Sequence, residues 1–188
     1  MPGRGVRCDA AMALHRLFVA LPLPDAVSEK LLDTMEGVPG ARWQDADDLH
    51  ITLRFIGDVD RHALADVMTA LESIPVRPFP VSIAGVGHFE TRGRARAIWA
   101  RVVPSEPLAQ LQHVIEMACR RAGLSAETRK FVPHVTLARL NSGSGPVGSW
   151  LAVHGDLALP AWSADGFALC ESHLGHSGAI YERIASFP

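Results

Sequence analysis

Two short segments of this chain carry the same pattern, His-x-Thr-Leu, and each lies in a run with the composition of a buried strand. The segments are HITLRFIG at 50–57 and HVTLARL at 134–140. Because side chains alternate across a strand, His50 shares a face with Thr52, and His134 shares a face with Thr136. A single motif of this kind would carry little weight, but the repeat predicts two strands that each present an imidazole beside a hydroxyl.

The composition predicts one compact unit that stays in the cytoplasm. Hydrophobic residues make up 48% of the 188 residues, which suffices to bury one core or two small lobes that share a seam. The apolar run at 17–23 is too short to span a bilayer, so we expect no membrane segment. Three widely spaced cysteines indicate neither a disulfide framework nor a zinc knuckle, which favours a reducing compartment.

The net charge of −2 argues against a protein that grips long duplex nucleic acid. Binding of that kind depends on neutralising many phosphates and releasing their counterions. A small anionic ligand remains compatible with this charge.

Strand and helix patterns alternate along the chain. Apolar and β-branched runs predict strands at 16–21, 49–57, 79–89, 96–103, 134–140, 165–174 and 179–187. Helical spacing of apolar residues, with start and stop signals, predicts helices at 24–35, 58–74 and 105–123. Several strands follow one another directly, so an antiparallel α+β fold is favoured over a doubly wound parallel sheet. Residues 141–150 are predicted to be a flexible loop, and residues 1–14 a flexible extension before one domain at 15–188.

Two imidazoles and two hydroxyls that converge suit acid–base chemistry at a phosphate. Histidine has an unperturbed pKa of about 6.5, so at neutral pH one ring can accept a proton while another donates one. In an in-line displacement at phosphorus, hydroxyls and backbone amides would hold the non-bridging oxygens where charge accumulates. This design requires no metal ion and no cofactor. The residues alone leave open which histidine is the acid and which is the base.

The paired motifs resemble the signatures of the two-histidine (2H) phosphoesterase superfamily, and the surrounding sequence resembles its RNA 2′,3′-cyclic phosphodiesterase branch, also called 2′-5′ RNA ligase. The resemblance extends over residues 16–187. Its segments are RLFVAL, PGARWQDADDLHITLRFIGDVD, RGRARAIW, FVPHVTLARL and FALCESHLGHSGAIYERIASFP. It implies a bilobal α+β fold with pseudo-twofold symmetry, in which two antiparallel sheets with outer helices surround a central cleft and each sheet carries one motif.

The resemblance also implies a role for each motif residue. His50 would be the proton donor to the leaving oxygen, and His134 would be the proton acceptor that activates water. Thr52 and Thr136 would bind the phosphate. The implied substrates are RNA ends or small nucleotides with a 2′,3′-cyclic phosphate, which opens to a 2′-phosphate, and the reverse reaction would join RNA ends. We expect the enzyme to act as a monomer.

Arginines near the motifs are further candidates for phosphate binding. Arg139 has suitable chemistry for a phosphate clamp. Strict alternation places it on the face away from His134, so it reaches the cleft only if the strand bends or ends there. Arg54 falls on the His50 face by the same count, although a salt-bridged strand residue is an equally good interpretation. Three more arginines lie in or beside a predicted turn and could steer an RNA end, namely Arg92, Arg94 and Arg96.

Other interpretations remain open from the sequence. A non-catalytic nucleotide-binding module could retain the cleft, although such a module need not keep all four motif residues. A 2H hydrolase of another small phosphate, such as a cyclic ADP-ribose derivative or a 2′-5′ oligoadenylate, would use the same groups. His173 and His176 form an HxxH pair, but they flank a turn with no nearby third ligand, so we expect no metal site there.

Overall fold

A computed structural model of the protein describes residues 14–174 and 179–188. The strands in this part of the chain are β1 His15–Pro22, β2 Arg42–Trp43, β3 His50–Val59, β4 Phe79–Thr91, β5 Arg94–Val102, β6 His134–Arg139, β7 Ala158–Ala164, β8 Phe167–Leu174 and β9 Ala179–Phe187. The helices are α1 Asp25–Leu32, α2 Arg61–Glu72, α3 Glu106–Arg121 and α4 Gly148–His154, and a 3₁₀ turn covers Ala46–Asp48. His176 and nearly all of the predicted extension lie outside the described residues. The division into an extension and one domain stays a prediction.

The strands form one antiparallel sheet with the order β7-β4-β5-β6-β3-β1-β8-β9, and β2 pairs with β6. This order divides into two halves of four strands, which meet where β3 and β6 pair at Ile51 and Val135 alone. The two predicted sheets are therefore two lobes joined at a narrow seam. The two motif strands run antiparallel at the centre, as a twofold axis between them requires. The predicted α+β class is confirmed.

The helices pack on the apolar side of the motif strands. Ile51 and Val135 are fully buried there, in one cluster with Leu108 and Ile115 of α3. Burying one large aliphatic side chain contributes about 1.5–3 kcal/mol, so this shared core holds the two lobes together. The opposite side of the same strands is left free for polar groups.

Four elements escaped the sequence prediction, namely β2, the 3₁₀ turn, α4 and β7. The predicted loop at 141–150 is wrong in its last residues, because α4 begins at Gly148. Trp150 is buried there, and its indole N–H donates to the carbonyl of Thr34 at 2.8 Å. Strand β7 lies at the edge of the sheet, where Pro160 is tolerated because an edge strand leaves some N–H positions unpaired.

In the described part of the chain, no helix is both long and apolar enough to cross a membrane. The cytoplasmic location and the monomeric state stay predictions.

Candidate active site

The motif strands bring two histidine–threonine pairs to the side of the seam that faces away from the core. His50 and Thr52 lie on β3, and His134 and Thr136 lie on β6. All four are half-buried, whereas the residues between them are fully buried. Thr52, His134 and Thr136 line a cleft of about 550 Å³, and His50 lies beside Thr52.

Both imidazoles are held in the same way. Nδ1 of His50 lies 2.7 Å from the carbonyl oxygen of Asp48, and Nδ1 of His134 lies 2.6 Å from that of Val132. A carbonyl oxygen can only accept a hydrogen bond, so Nδ1 carries a proton in each ring. Nε2 is therefore the atom through which each histidine can gain or lose a proton.

Thr52 completes the first pair. Its hydroxyl lies 3.1 Å from Nε2 of His50. Because Nδ1 already carries the proton of the neutral ring, the hydroxyl donates to Nε2. A phosphate oxygen that entered the cleft could accept this hydroxyl proton instead, which would free Nε2 for proton transfer.

The surroundings lower the pKa of both histidines. Burial lowers the pKa of His50 to about 4; the charges of His134 and Arg139 also lower it, while the Asp48 carbonyl opposes the shift. Burial also lowers the pKa of His134, the Arg139 charge adds to this, and the Val132 carbonyl opposes it. Both rings are therefore neutral at pH 7 in the empty cleft.

Aromatic side chains pack against His50 from its own lobe. The ring centroid of Phe18 on β1 lies 4.8 Å from that of His50, and Tyr181 on β9 meets His50 edge-on at 5.2 Å. The backbone N–H of Tyr181 also donates to the Asp48 carboxylate. Strand β9 thus holds the turn whose carbonyl fixes the imidazole. Neither aromatic residue was singled out from the sequence.

A similar pair packs against His134. Phe89 on β4 meets it edge-on at 4.8 Å, and Trp99 on β5 lies 5.9 Å away. The Trp99 ring lies over Gly87, where a Cβ atom would come within 2.3 Å of it. A glycine inside a strand is the sequence signal that could have indicated this close approach.

Arg139 enters the cleft because β6 contains a bulge. The register between β5 and β6 shifts between Thr136 and Ala138, so Leu137 has no partner on β5. One extra residue reverses the alternation that follows it. Arg139 therefore lines the cleft, and its charge reaches both histidines. The expectation from strict alternation is wrong at this residue, and the bend that the sequence left open is present.

Strand β3 has the same irregularity at the same place in its motif. The register between β1 and β3 shifts between Thr52 and Arg54, so Leu53 has no partner on β1. Arg54 is buried with 6% of its area exposed, and the next residue, Phe55, lines the cleft half-buried.

The buried guanidinium of Arg54 is fully engaged by protein groups. It lies 2.5 Å from the Glu116 carboxylate of α3 and 3.7 Å from that of Glu127, and it donates to the carbonyl of Ser125 at 2.6 Å. The salt-bridged interpretation of Arg54 is confirmed. Its contacts tie the segment after α3, which forms one wall of the cleft, to the first motif strand.

The remaining candidates lie away from the cleft lining or form no site. The arginines in and beside the predicted turn are exposed and do not line the cleft; they are Arg92 in the turn and Arg94 and Arg96 at the start of β5. Within the described residues, no three His, Cys, Asp or Glu side chains converge to hold a metal ion. The absence of a metal from the chemistry stays a prediction.

Comparison with known proteins places the chain in a family. The 2′-5′ RNA ligase superfamily matches residues 23–170. An RNA 2′,3′-cyclic phosphodiesterase of Geobacillus stearothermophilus is 30% identical over 94% of this chain, which spans only 58% of that relative's length. An RNA 2′,3′-cyclic phosphodiesterase of Archaeoglobus fulgidus is 29% identical over 92% of this chain and 99% of its own.

Solved structures share the fold. The protein TT0787 of Thermus thermophilus superposes with a TM-score of 0.78 at 24% identity, and the match covers 92% of this chain and 96% of that one. The paired motifs, the two-lobed sheet and the sequence match agree. The chain therefore belongs to the 2′-5′ RNA ligase superfamily, whose members are two-histidine phosphoesterases.

Proposed function

We propose that this protein is an RNA 2′,3′-cyclic 3′-phosphodiesterase that opens a terminal cyclic phosphate to a 2′-phosphate. The observation that carries the proposal is the matched pair of imidazoles in one cleft, each with Nδ1 fixed by a carbonyl, which leaves Nε2 as the atom for proton transfer. The activity for which the relatives are named supports the same substrate class.

In the proposed mechanism, the two histidines act on opposite sides of the phosphorus atom. Nε2 of His134 accepts a proton from water as its oxygen forms a bond to phosphorus. The bond from phosphorus to the ribose 3′-oxygen breaks, and His50 gives its Nε2 proton to that oxygen. Water and the cyclic diester thus become a 3′-hydroxyl and a 2′-phosphate, while His134 gains one proton and His50 loses one.

The other polar groups of the site would hold the non-bridging oxygens. Thr52, Thr136 and Arg139 are the donors that line the cleft beside the histidines. Their hydroxyl and guanidinium groups would stabilise the negative charge that accumulates on the phosphate oxygens in the transition state. A bound phosphodiester anion also favours the protonated form of a nearby imidazole, which would counter the low pKa of His50 in the empty cleft.

The same groups would permit the reverse reaction. A 5′-hydroxyl that took the place of the 3′-hydroxyl product would need the same acid and base to form a 2′-5′ linkage. We also propose that the enzyme acts as a monomer in the cytoplasm, and light scattering after gel filtration would test the oligomeric state.

A direct assay tests the proposed activity. The purified protein is incubated in EDTA with a short RNA that ends in a 2′,3′-cyclic phosphate, and the 2′- and 3′-phosphate products are separated. We expect 2′-phosphate alone, and strong inhibition by EDTA that added metal reverses would contradict the metal-independent mechanism.

One control tests whether the loss of any histidine lowers the rate. His62→Ala removes an exposed histidine on α2 and should leave the rate unchanged. Binding of the RNA without turnover by the folded wild-type protein would instead favour a nucleotide-binding module. Turnover of a 2′-5′ oligoadenylate but not of the cyclic phosphate would favour a hydrolase of another substrate.

A further inference from the structure

The cleft continues along β3 beyond the motif residues. Phe55 lies three residues after Thr52, which is roughly 10 Å further along the strand. Two guanidinium groups lie over its ring, with the Cζ atoms of Arg16 and Arg129 at 5.1 Å and 5.7 Å from the centroid. These two arginines and Lys130 line the same cleft, and we call the three residues the distal cations.

Arg129 is held in place by Glu127. The carboxylate accepts from Nε at 3.1 Å and from Nη2 at 2.6 Å, and it also accepts from the Arg129 backbone N–H at 3.0 Å. These hydrogen bonds lower the pKa of Glu127 to about 2, so the pair stays charged. The Arg129 side chain is still 70% exposed, and its second terminal nitrogen, Nη1, keeps both N–H donors available for another acceptor.

Glu127 is itself anchored to the core. Its carboxylate lies 3.7 Å from the buried guanidinium of Arg54, and its backbone N–H donates to Glu116 at 3.1 Å. Arg129 is therefore connected to the motif strand β3 through Glu127 and Arg54. Such pre-organisation lowers the entropy that an exposed arginine loses when it binds an anion.

The charge of the cleft is opposite to that of the whole chain. The chain carries a net charge of −2, but the cleft lining contains four cationic side chains besides the buried and ion-paired Arg54, and one carboxylate, that of Glu127. In the described part of the chain, Lys130 and Arg139 have no carboxylate within ion-pair distance. Arg16 has only a half-exposed partner, Asp58, at 3.5 Å, which is a weak pair.

One phosphate does not account for cations at both ends of this cleft. The charge of Arg139 reaches the two histidines, whereas Arg16 and Arg129 lie over Phe55, roughly 10 Å further along β3, which one further nucleotide can span. Single-stranded nucleic acid is commonly held by cations that follow its backbone.

We infer that the distal cations bind the phosphodiester group immediately upstream of the terminal cyclic phosphate, so that the preferred substrate is the end of an oligonucleotide. This inference rests on the proposed phosphodiesterase function and adds a second subsite to it. The exposed turn arginines, which the sequence suggested for steering, lie outside this subsite.

The test compares a mononucleotide with a trinucleotide. Uridine 2′,3′-cyclic phosphate lacks the upstream linkage, and UpUpU with a terminal 2′,3′-cyclic phosphate contains it. For the wild-type protein we expect kcat/KM to be at least tenfold higher for the trinucleotide, as charged hydrogen bonds to one phosphate allow. In the double variant Arg129→Ala/Lys130→Ala, this ratio should fall by about tenfold. The matched variant Arg94→Ala/Arg96→Ala removes the same charge from two exposed residues at the start of β5 and should keep the ratio.

Two further measurements separate direct phosphate binding from a general effect of charge or folding. With the wild-type protein, replacing the upstream phosphodiester by a neutral methylphosphonate should lower kcat/KM as much as the Arg129→Ala/Lys130→Ala substitutions do. With the double variant, the same replacement should lower kcat/KM little further. For the trinucleotide, log kcat/KM falls with the logarithm of the salt concentration. In the Arg129→Ala/Lys130→Ala variant this slope should become shallower by roughly 0.7 for each phosphate that is no longer neutralised. Thermal unfolding checks that the variants are folded.

The outcomes distinguish the inference from the function on which it rests. Equal kcat/KM for the two substrates, or the same ratio in the Arg129→Ala/Lys130→Ala variant as in the wild type, would overturn the subsite while hydrolysis of both substrates upheld the phosphodiesterase. Hydrolysis of neither substrate would overturn the function, and the subsite with it.

Discussion

The two lobes repeat one design and then depart from it after the motif leucine. In each lobe the imidazole is fixed by a carbonyl two residues earlier, and the leucine of the motif is skipped in the strand register. The second residue after that leucine faces the cleft in both lobes, but it is Phe55 in one and Arg139 in the other. The scaffold is therefore close to symmetric, whereas the chemistry that it presents is not.

The proposed reaction gives this difference a physical reason. The opening of a cyclic phosphate has an entering oxygen and a leaving oxygen, so the two sides of the cleft would have different tasks. One lobe places a guanidinium beside the histidines, and the other places a ring on which two guanidiniums rest further along the cleft. Two similar strands can supply two equivalent imidazoles. A different residue after each bulge, Phe55 in one lobe and Arg139 in the other, is enough to make the two ends of the cleft chemically different.

Removing either histidine should have the largest effect. His50→Ala and His134→Ala should each lower kcat by about 10²–10⁴-fold, because general acid and base catalysis contribute that much. The double variant should be little worse than the single variants, since the two groups act as a unit. Initial rates with the cyclic-phosphate RNA, beside far-UV circular dichroism, check this. A folded single variant with a near-normal rate would show that one lobe is dispensable.

A substrate with sulfur in place of the ribose 3′-oxygen would separate the two roles. A thiolate leaves without help from an acid, so this substrate should rescue His50→Ala in the proposed assignment and leave His134→Ala slow. The reverse pattern of rescue would exchange the acid and the base between the lobes.

The buried arginine of the first lobe should matter most for stability. Arg54→Ala leaves the carboxylate of Glu116 without its cation and removes one of the two cations beside Glu127, so it should cost about 3–5 kcal/mol of the free energy of unfolding. Lys30→Ala removes an exposed pair with Asp33 at 3.9 Å and should change stability by less than about 1 kcal/mol. Urea denaturation measures both. A loss below about 1 kcal/mol for Arg54→Ala would mean that the segment after α3 does not depend on this ion pair.

The position after the bulge should respond differently in the two lobes. Arg139→Ala should lower kcat/KM by about 10–100-fold for every cyclic-phosphate substrate, because a charged hydrogen bond to the reacting phosphate is removed. Arg139→Lys keeps the charge but not the bidentate geometry and should recover only part of the rate. Phe55→Ala should lower kcat/KM more for the trinucleotide than for the mononucleotide. If Arg139→Ala and Phe55→Ala each lowered kcat/KM equally for the mononucleotide and the trinucleotide, the two lobes would not differ in the way proposed.

The pH dependence should show the smallest but most specific effect. The reaction needs one imidazole protonated and one neutral, so kcat/KM falls below the lower and above the higher pKa of the free protein. Both values lie below the ordinary 6.5, that of His50 at about 4, so the optimum of kcat/KM should lie below pH 6.5. The optimum of kcat should lie higher, because the bound phosphate anion raises the pKa of each imidazole.

Removing the charge at residue 139 tests the cause of this shift. Arg139→Gln should move both limbs of the kcat/KM profile to higher pH, since that charge lowers the pKa of both histidines. A kcat/KM optimum above about pH 7.5 in the wild-type protein would contradict the lowered values. An unchanged profile in the variant would show that burial alone sets them.

Much of the site could be predicted from local pattern. The period of a strand is two residues, so the spacing His-x-Thr alone predicts that His50 and Thr52 share a face, and a repeat of that spacing is visible without any structure. Arg139 was misplaced because a bulge depends on how β5 pairs with β6, and no letter in HVTLARL marks it. Phe18, Phe89 and Tyr181 were missed because their contacts with the histidines join strands that are distant in the sequence.

The amino-acid sequence by itself determined the class of fold, the two motifs and the chemistry that two imidazoles and two hydroxyls can perform. These follow from periodicity and from side-chain type, which are local properties. Only the tertiary structure decided that the two strands meet at one narrow seam, that each leucine of the motif is skipped in the register, and that cations gather around Phe55. These features depend on pairing between residues far apart in the chain, and the packing energy that selects one register is a sum over the whole core.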